Sequence, residues 1–479
     1  MSRALLSAIL TTAAWCLPAP APAQNPASSE LIADRYRAVA DSLIGAALAD
    51  STAYHRLGLL VDTYGNRPSG SVQLERAIEW VLGQMKGDGL ERVRGERVMV
   101  PHWVRGRESA ELVKPRPLAL HLLGLGGSAG TPAAGITAPV LVVGSFDELT
   151  RRAAEAKGKI VLFDVPLATD RPPFEAYDQA VQYRVNGAIA GARVGARAVL
   201  IRSVASASIQ SPHTGIMRYD STVARIPAAA LSVEDAELLH RFQNRGEPVT
   251  VRLTMGARSL SDSPSRNVVA ELPGRERPDE VVVLGGHIDS WDVGQGAMDD
   301  GGGALASWEA VRLMRRLGLR PRRTVRVVLW TSEETGAKGG SAYRDQHQAE
   351  LDKHVLAIES DNGVFAPTGF GIRGSDSAFA VARQVAGLLQ AVGATTIERV
   401  TEGPEADVEP LADRGVPGMG LQVDATRYFW YHHSEGDTFD KIDRAEMARC
   451  VAALAVMAYV VADLPDPLPR SAAGDGHAP

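Results

Sequence analysis

Residues 283–303 read VLGGHIDSWDVGQGAMDDGGG. The run 281–284 is apolar and rich in β-branched residues, which reads as a buried strand. It stops at Gly285-Gly286, and His287 and Asp289 stand where the strand ends. A glycine-rich loop follows, then Asp299-Asp300, then glycines that open a helix. Leu305, Trp308, Val311 and Met314 recur every third residue and mark that helix's buried face. Strand, polar loop and helix make the half-unit of an α/β sheet, and ligands bind beyond the carboxyl ends of such strands. An imidazole and several carboxylates at such an end suggest a metal site, although one His and one Asp alone suit a solvated turn equally well.

Further strands are expected at 267–272, 280–284, 323–330, 354–359 and 418–423, alternating with helices, and a long helix closes the region at about 444–463. The alternation predicts an α/β fold: a mostly parallel central sheet with helices on both faces. Polar clusters follow the ends of these strands. They are His287/Asp289 with Asp299/Asp300, Glu333-Glu334, Glu359/Asp361, and His432-His433 with Asp437. Each has a tame explanation: paired glutamates suit a helix start that Ser332 could cap, and paired histidines suit packing. Together, at several strand ends of one sheet, they point to a shared metal centre.

The chain has 479 residues and ordinary globular composition, 45% hydrophobic and 23% charged, with a net charge of −6. That balance carries no basic footprint for nucleic acid. Residues 1–23 combine Arg3, an apolar run and Ala21-Pro22-Ala23, the pattern of a secretory signal peptide. Export to the periplasm or the extracellular space is therefore expected, without a membrane anchor. A lipoprotein anchor at Cys16 competes, with Ala13-Ala14-Trp15 a poor lead-in. Cleavage leaves Cys450 as a lone thiol among apolar neighbours, a buried small hydrophobe. The domain plan is 24–117 as the N-terminal part of the main domain, 118–258 as a β-rich α/β insertion and 259–464 as the rest of the main domain. Residues 98–100 and 103–104 are strand-like. The tail 465–479, rich in Pro, Gly, Ala and Ser, is expected to be disordered.

The motifs His-x-Asp-Ser at His287, Asp-Asp-Gly-Gly-Gly at Asp299, Glu-Glu-x-Gly at Glu333, Ser-Asp at Ser360 and His-Ser-x-x-Asp-Thr at His433 resemble the co-catalytic di-zinc aminopeptidases and glutamate carboxypeptidases. The 211–215 and 428–430 segments fit as well, and the insertion resembles a protease-associated domain. The resemblance implies two Zn2+ ions per chain. His287 and Asp361 would hold one, Glu334 and His433 the other, with Asp299 between them. Glu333 would be the general base and then the proton donor. Asp289 would orient His287 by accepting its second N–H. A cis peptide between Asp299 and Asp300 and a homodimer are implied too. His433 precedes Asp437 by the family's spacing, with His432 beside it as a competitor. His213 is a loop histidine that could reach over the site. Glu402, Glu405, Asp407 and Glu409 form an acidic loop, read as solvated or as a seat for a substrate amino group. The implied activity is a zinc exopeptidase acting on dipeptides or short peptides. A single-zinc aminoacyl cyclotransferase and a non-catalytic receptor are the alternatives.

Overall fold

The computed structural model describes residues 27–401 and 403–470. The expected signal segment 1–23 with Cys16, Glu402 and residues 471–479 lie outside them. The fold is α/β, built on two eight-stranded sheets.

The main sheet runs in the order Glu91–Val100, Ser263–Leu272, Arg323–Trp330, Arg277–His287, His354–Glu359, Gly418–Val423, Pro367–Arg373, Thr396–Arg399. Its four middle strands, from Arg323–Trp330 to Gly418–Val423, are parallel. Arg323–Trp330 is buried at every position, as suits a strand covered on both faces. Parallel strands open their carboxyl ends on one rim. His287 pairs with Trp330, Gly285 with Glu359 and Glu359 with Gly420, so the loops bearing the polar clusters leave from neighbouring points. Pro367–Arg373 and Thr396–Arg399 were not foreseen. The first, PTGFGIR, carries Pro and Gly that weaken a strand pattern, and the second is short and mostly exposed.

The helix Gly302–Arg316 departs from the one-sided burial that its spacing predicts. Gly302 to Val311, Leu313 and Met314 are all buried, because the helix lies between the sheet and the helices Ala27–Ala49, Thr52–Tyr64 and Arg444–Asp463. Arg444–Asp463 is itself long and apolar enough to cross a membrane by length and composition, yet it is a core helix, buried along nearly its whole length. Cys450 lies within it, with Sγ donating to the Phe365 carbonyl at 3.1 Å, and burial pushes its thiol pKa up. The tail expectation needs correction over its first residues. Leu468 is buried in the main core and Arg470 donates to the Leu351 and His354 carbonyls, so packing overrides composition as far as 470.

Between Glu91–Val100 and Ser263–Leu272 the chain departs through a short antiparallel pair, Trp103–Val104 against Arg258–Ser259. It builds the second sheet, from Glu108–Lys114 to Thr250–Met255, with the helices Pro173–Arg193 and Val233–Asn244. This unit returns to the main one at the rim. Thr214 N donates to the His433 carbonyl at 2.8 Å, and Ser206 N to the Phe429 carbonyl at 3.2 Å.

Under the main sheet, His354 is held neutral. Its Nδ1 faces the Glu350 carbonyl at 2.9 Å and must donate, so Nε2 accepts from the Tyr343 hydroxyl at 2.9 Å. Burial pushes this imidazole down to about 4. Between about pH 6.5 and 4 the unfolded chain therefore binds a proton that the folded chain refuses, and stability falls as pH falls through that window. The stability advantage of the wild type over His354→Gln, read from urea midpoints, is expected to shrink from pH 7 to pH 4.5. A pH-independent gap would refute this.

Candidate metal centre

His287 ends its strand on the rim, fully buried. Its Nε2 lies 3.1 Å from Asp299 Oδ1 and 3.2 Å from Asp361 Oδ1. On the other side, His433 Nε2 lies 3.2 Å from Asp299 Oδ2 and 3.0 Å from Glu334 Oε2. Asp299 thus presents one oxygen to each imidazole. Donor atoms on a tetrahedral zinc ion with bonds of 2.0–2.1 Å sit about 3.3 Å apart, close to these separations. The angles decide between a metal cage and a hydrogen-bonded one. Asp299 Oδ2, Glu334 Oε1 and Asp361 Oδ1 are buried without any hydrogen bond, although imidazole nitrogens approach two of them closely. His287 Nε2 and Asp299 Oδ1 have hydrogen-bond geometry, whereas the buried oxygens left without a bond beside the imidazole nitrogens fit an ion among them. The donor atoms that could hold metal gather on two sides of Asp299, with His287 and Asp361 on one and His432, His433 and Glu334 on the other.

His432 is close as well, its Nε2 3.6 Å from Asp299 Oδ2, and its ring stacks on His433 at 3.5 Å between centroids. It touches one of these carboxylates where His433 touches two, and its other neighbours are Tyr177, Tyr428 and Phe429. His433 has φ of 60°, a left-handed conformation that is costly outside glycine and often marks a functional position. Ser332, just before the glutamate pair, has φ of 65°. The glutamates are therefore on a tight loop: the following helix starts only at Lys338, and Ser332 caps nothing, its hydroxyl bonding Thr335 instead. Burial, with Asp361 and Glu334 nearby, raises the Glu333 carboxyl well above the usual range. Burial beside Asp299 raises Glu334 to about 7.

Around these groups lies a frame of backbone hydrogen bonds. Asp437 accepts from the backbone N–H groups of Ala297, Met298 and Asp299 at 3.0, 2.6 and 3.2 Å, which fixes the Asp299 segment. The Asp299–Asp300 peptide is cis. Asp300 accepts from His287 N at 2.9 Å and Gly303 N at 3.0 Å, tying the strand end to the helix start. Arg67, wholly buried, donates to the carbonyls of Gly65, Ile288, Gln295 and Gly296. Residues 64–68, YGNRP, carry only a turn signal in the sequence. The signal it lacked is the contact itself, made across more than two hundred residues.

Asp289 has a different role from the one expected. His287 Nδ1 donates to the Asp289 backbone carbonyl at 3.0 Å, while the carboxylate stands off at 3.7 Å. That carboxylate accepts from Glu333 N at 3.1 Å and so anchors the loop carrying the glutamates. The acidic loop is not the solvated segment expected. Asp407 is fully buried and accepts from Gly340 N, and Glu405 accepts from the Asn362 amide at 2.5 Å, whereas Glu409 is exposed. His213 is buried where the second unit meets the rim, beside the His432 backbone and His433.

Residues 267–458 match the model of Peptidase family M28. Carboxypeptidase Q of Mus musculus is 49% identical over 439 residues, covering 91% of this chain and 92% of the relative. That of Homo sapiens is 49% identical, covering 90% of each. The chain belongs to peptidase family M28 and is a metallo-exopeptidase. Its likeness within that family is to carboxypeptidase Q, along nearly the full length. Among solved structures, a peptidase M28 precursor from Shewanella amazonensis SB2B superposes with a TM-score of 0.88 at 35% identity, over 91% of this chain and 98% of that one. A zinc aminopeptidase from Bacillus subtilis shares the fold, with a TM-score of 0.61 at 20% identity over 85% and 93% of the two chains.

The Asp437 clasp yields a test. Asp437→Ala frees three backbone N–H groups behind Asp299. Its affinity for Zn2+, measured by competition with a chromogenic chelator, is expected to fall about 10–100-fold while the protein stays folded. Unchanged affinity would show that the clasp does not hold the centre.

Proposed function

We propose that this chain is an exported exopeptidase that hydrolyses dipeptides or short peptides at a centre of two zinc ions. The supporting observation is the single carboxylate, Asp299, that divides its oxygens between two imidazole–carboxylate sets. In this reading His287 and Asp361 would hold one ion and Glu334 and His433 the other, with Asp299 available to each. Zinc is the metal favoured by nitrogen and oxygen donors at this spacing, and it is the metal named for the Bacillus subtilis relative. Export rests on the composition of residues 1–23. The second sheet and its helices are read as an inserted module that covers the rim.

At such a centre zinc supplies Lewis acidity, which polarises a scissile carbonyl and makes water a better nucleophile at neutral pH. The chain supplies the proton handling. Glu333 takes the proton of the attacking water and returns it to the leaving amine. Burial raises its affinity for protons, the direction a proton acceptor needs. Asp289 fixes the base by holding the Glu333 backbone. Asp300 and Asp437 set the positions of His287 and Asp299. The second set, His433 with Glu334, weighs against a single-zinc cyclotransferase, and the intact base weighs against a receptor.

Purified protein is expected to carry two zinc ions per chain by elemental analysis and to release amino acids from unblocked dipeptides. Glu333→Gln should lower turnover by about 10²–10⁴-fold with zinc content unchanged. Turnover near the wild-type value in that variant would remove the mechanism. His433→Ala should lose one zinc ion per chain, whereas His432→Ala should retain both. The reverse pattern would exchange the two histidines.

A further inference from the structure

Away from the rim, the main unit holds a second gathering of charge that the hydrolytic chemistry does not use. A cavity of about 460 Å³ lies between the start of the edge strand Glu91–Val100 and the residues that follow the helix Lys338–Gln346. Arg92, Arg94, Glu271, Arg326, His347 and Glu350 line it. Arg326 stands four residues before Trp330, about 13 Å down its strand from the rim, so the cavity is separate from the metal centre.

Three guanidinium groups converge there on one carboxylate. Glu271 is buried and accepts from Arg92 Nη1 and from Arg326 Nε, each at 2.9 Å, with Arg94 Nη1 3.5 Å away. Two more carboxylates border the group, and His347 is shared between them. Its Nδ1 lies 2.5 Å from Glu350 Oε1 and its Nε2 3.0 Å from Glu96 Oε2. Glu350 also takes Arg326 Nη1 at 3.1 Å, and Glu96 takes Arg94 Nε at 2.9 Å. Donors remain after this pairing. Arg326 is only 5% exposed, yet its Nη2 makes no bond among the described residues. The Arg92 guanidinium spends Nη1 alone, which leaves Nε and Nη2 unused beside the cavity. A buried guanidinium edge is costly to leave without an acceptor.

The backbone gives a second, independent sign. Arg92 has φ of 50°, a left-handed angle that is strained in a residue with a side chain, and the pairing with Ser263–Leu272 shifts register between Glu91 and Arg94. That irregular turn sets Arg92 on Glu271 alongside Arg94. Unused N–H groups from two arginines on different strands, to either side of Glu271, suit an anion with acceptors on several sides. A phosphate group offers tetrahedral oxygens and up to two charges, where a carboxylate offers two oxygens in one plane.

We propose that this cavity seats a phosphate group, free or carried by a small organic molecule, on Arg92 and Arg326. In the main sheet Arg92 belongs to the first strand, Glu271 to the second and Arg326 to the third, so the bound group bridges the edge strand to the third across the second. It clamps the sheet's edge and takes no part in hydrolysis.

The test titrates the full zinc-loaded chain by calorimetry, near neutral pH, with inorganic phosphate, glycerol 3-phosphate and acetate. Phosphate also meets zinc centres, so Arg92→Gln and Arg92→Lys are titrated in parallel and the cavity is read from the difference. The Arg92 side chain is 57% exposed, and both variants are expected to fold with unchanged zinc content. The wild type should bind one phosphate group that Arg92→Gln binds roughly 10-fold more weakly or worse, with Arg92→Lys between them. Phosphate should also raise the thermal midpoint of the wild type more than that of Arg92→Gln. Tighter binding of glycerol 3-phosphate than of phosphate assigns an esterified group to the seat, and equal or weaker binding assigns the free anion. Identical isotherms for the wild type and Arg92→Gln, or acetate binding as tightly as phosphate, overturn the proposal.

Discussion

The constraint on which the rest of this structure depends is negative charge held out of water. Asp299, Asp361, Glu334 and Glu333 crowd one rim, with Asp289, Asp300, Asp407 and Asp437 directly behind them. Charges a few ångströms apart in a dry site repel strongly, and several of these carboxyls are pushed toward their neutral forms by burial and by one another. The chain answers with backbone N–H groups for the rear carboxylates and with two imidazoles set among the front ones. Full positive charge is scarce: Arg67 is spent on carbonyls, and Arg184 stands beside His433. The imbalance that remains is the physical case for divalent ions.

Much of this could be read from the linear chain, for a definite reason. The middle strands are apolar on both faces, so their runs stand out. In a parallel sheet the residues just past each run share a rim. The clusters containing His287, Asp299, Glu334, Asp361 and the His432-His433 pair were therefore legible as a group, the choice within them came from the family resemblance, and the structure brings those side chains close together. What could not be read depends on contacts without a local pattern. Arg67 meets its carbonyls from more than two hundred residues away. Asp289 turns its carboxylate to the glutamate loop and its carbonyl to His287, a choice of backbone and side-chain torsions that no spacing encodes. The helix Gly302–Arg316 is wrapped on all sides because other helices pack there, which its own periodicity does not record.

The two halves of the centre are also built differently. His287 sits on a regular strand end, and Asp361 follows the neighbouring strand by two residues, so the sheet's own hydrogen bonds place both. Glu334 and His433 hang on loops where Ser332 and His433 itself take left-handed backbone angles. Such angles cost of order 1–3 kcal/mol each and persist only where the surroundings over-determine them. Around His433 the surroundings include the second unit, through Thr214 N on its carbonyl and Arg184 at its ring. The half of the centre nearest the second unit is thus the half that needs it. Withdrawing that unit would free the His433 carbonyl. Thr214 and Arg184 of the second unit stand more than two hundred residues from His433 in sequence and against it in space.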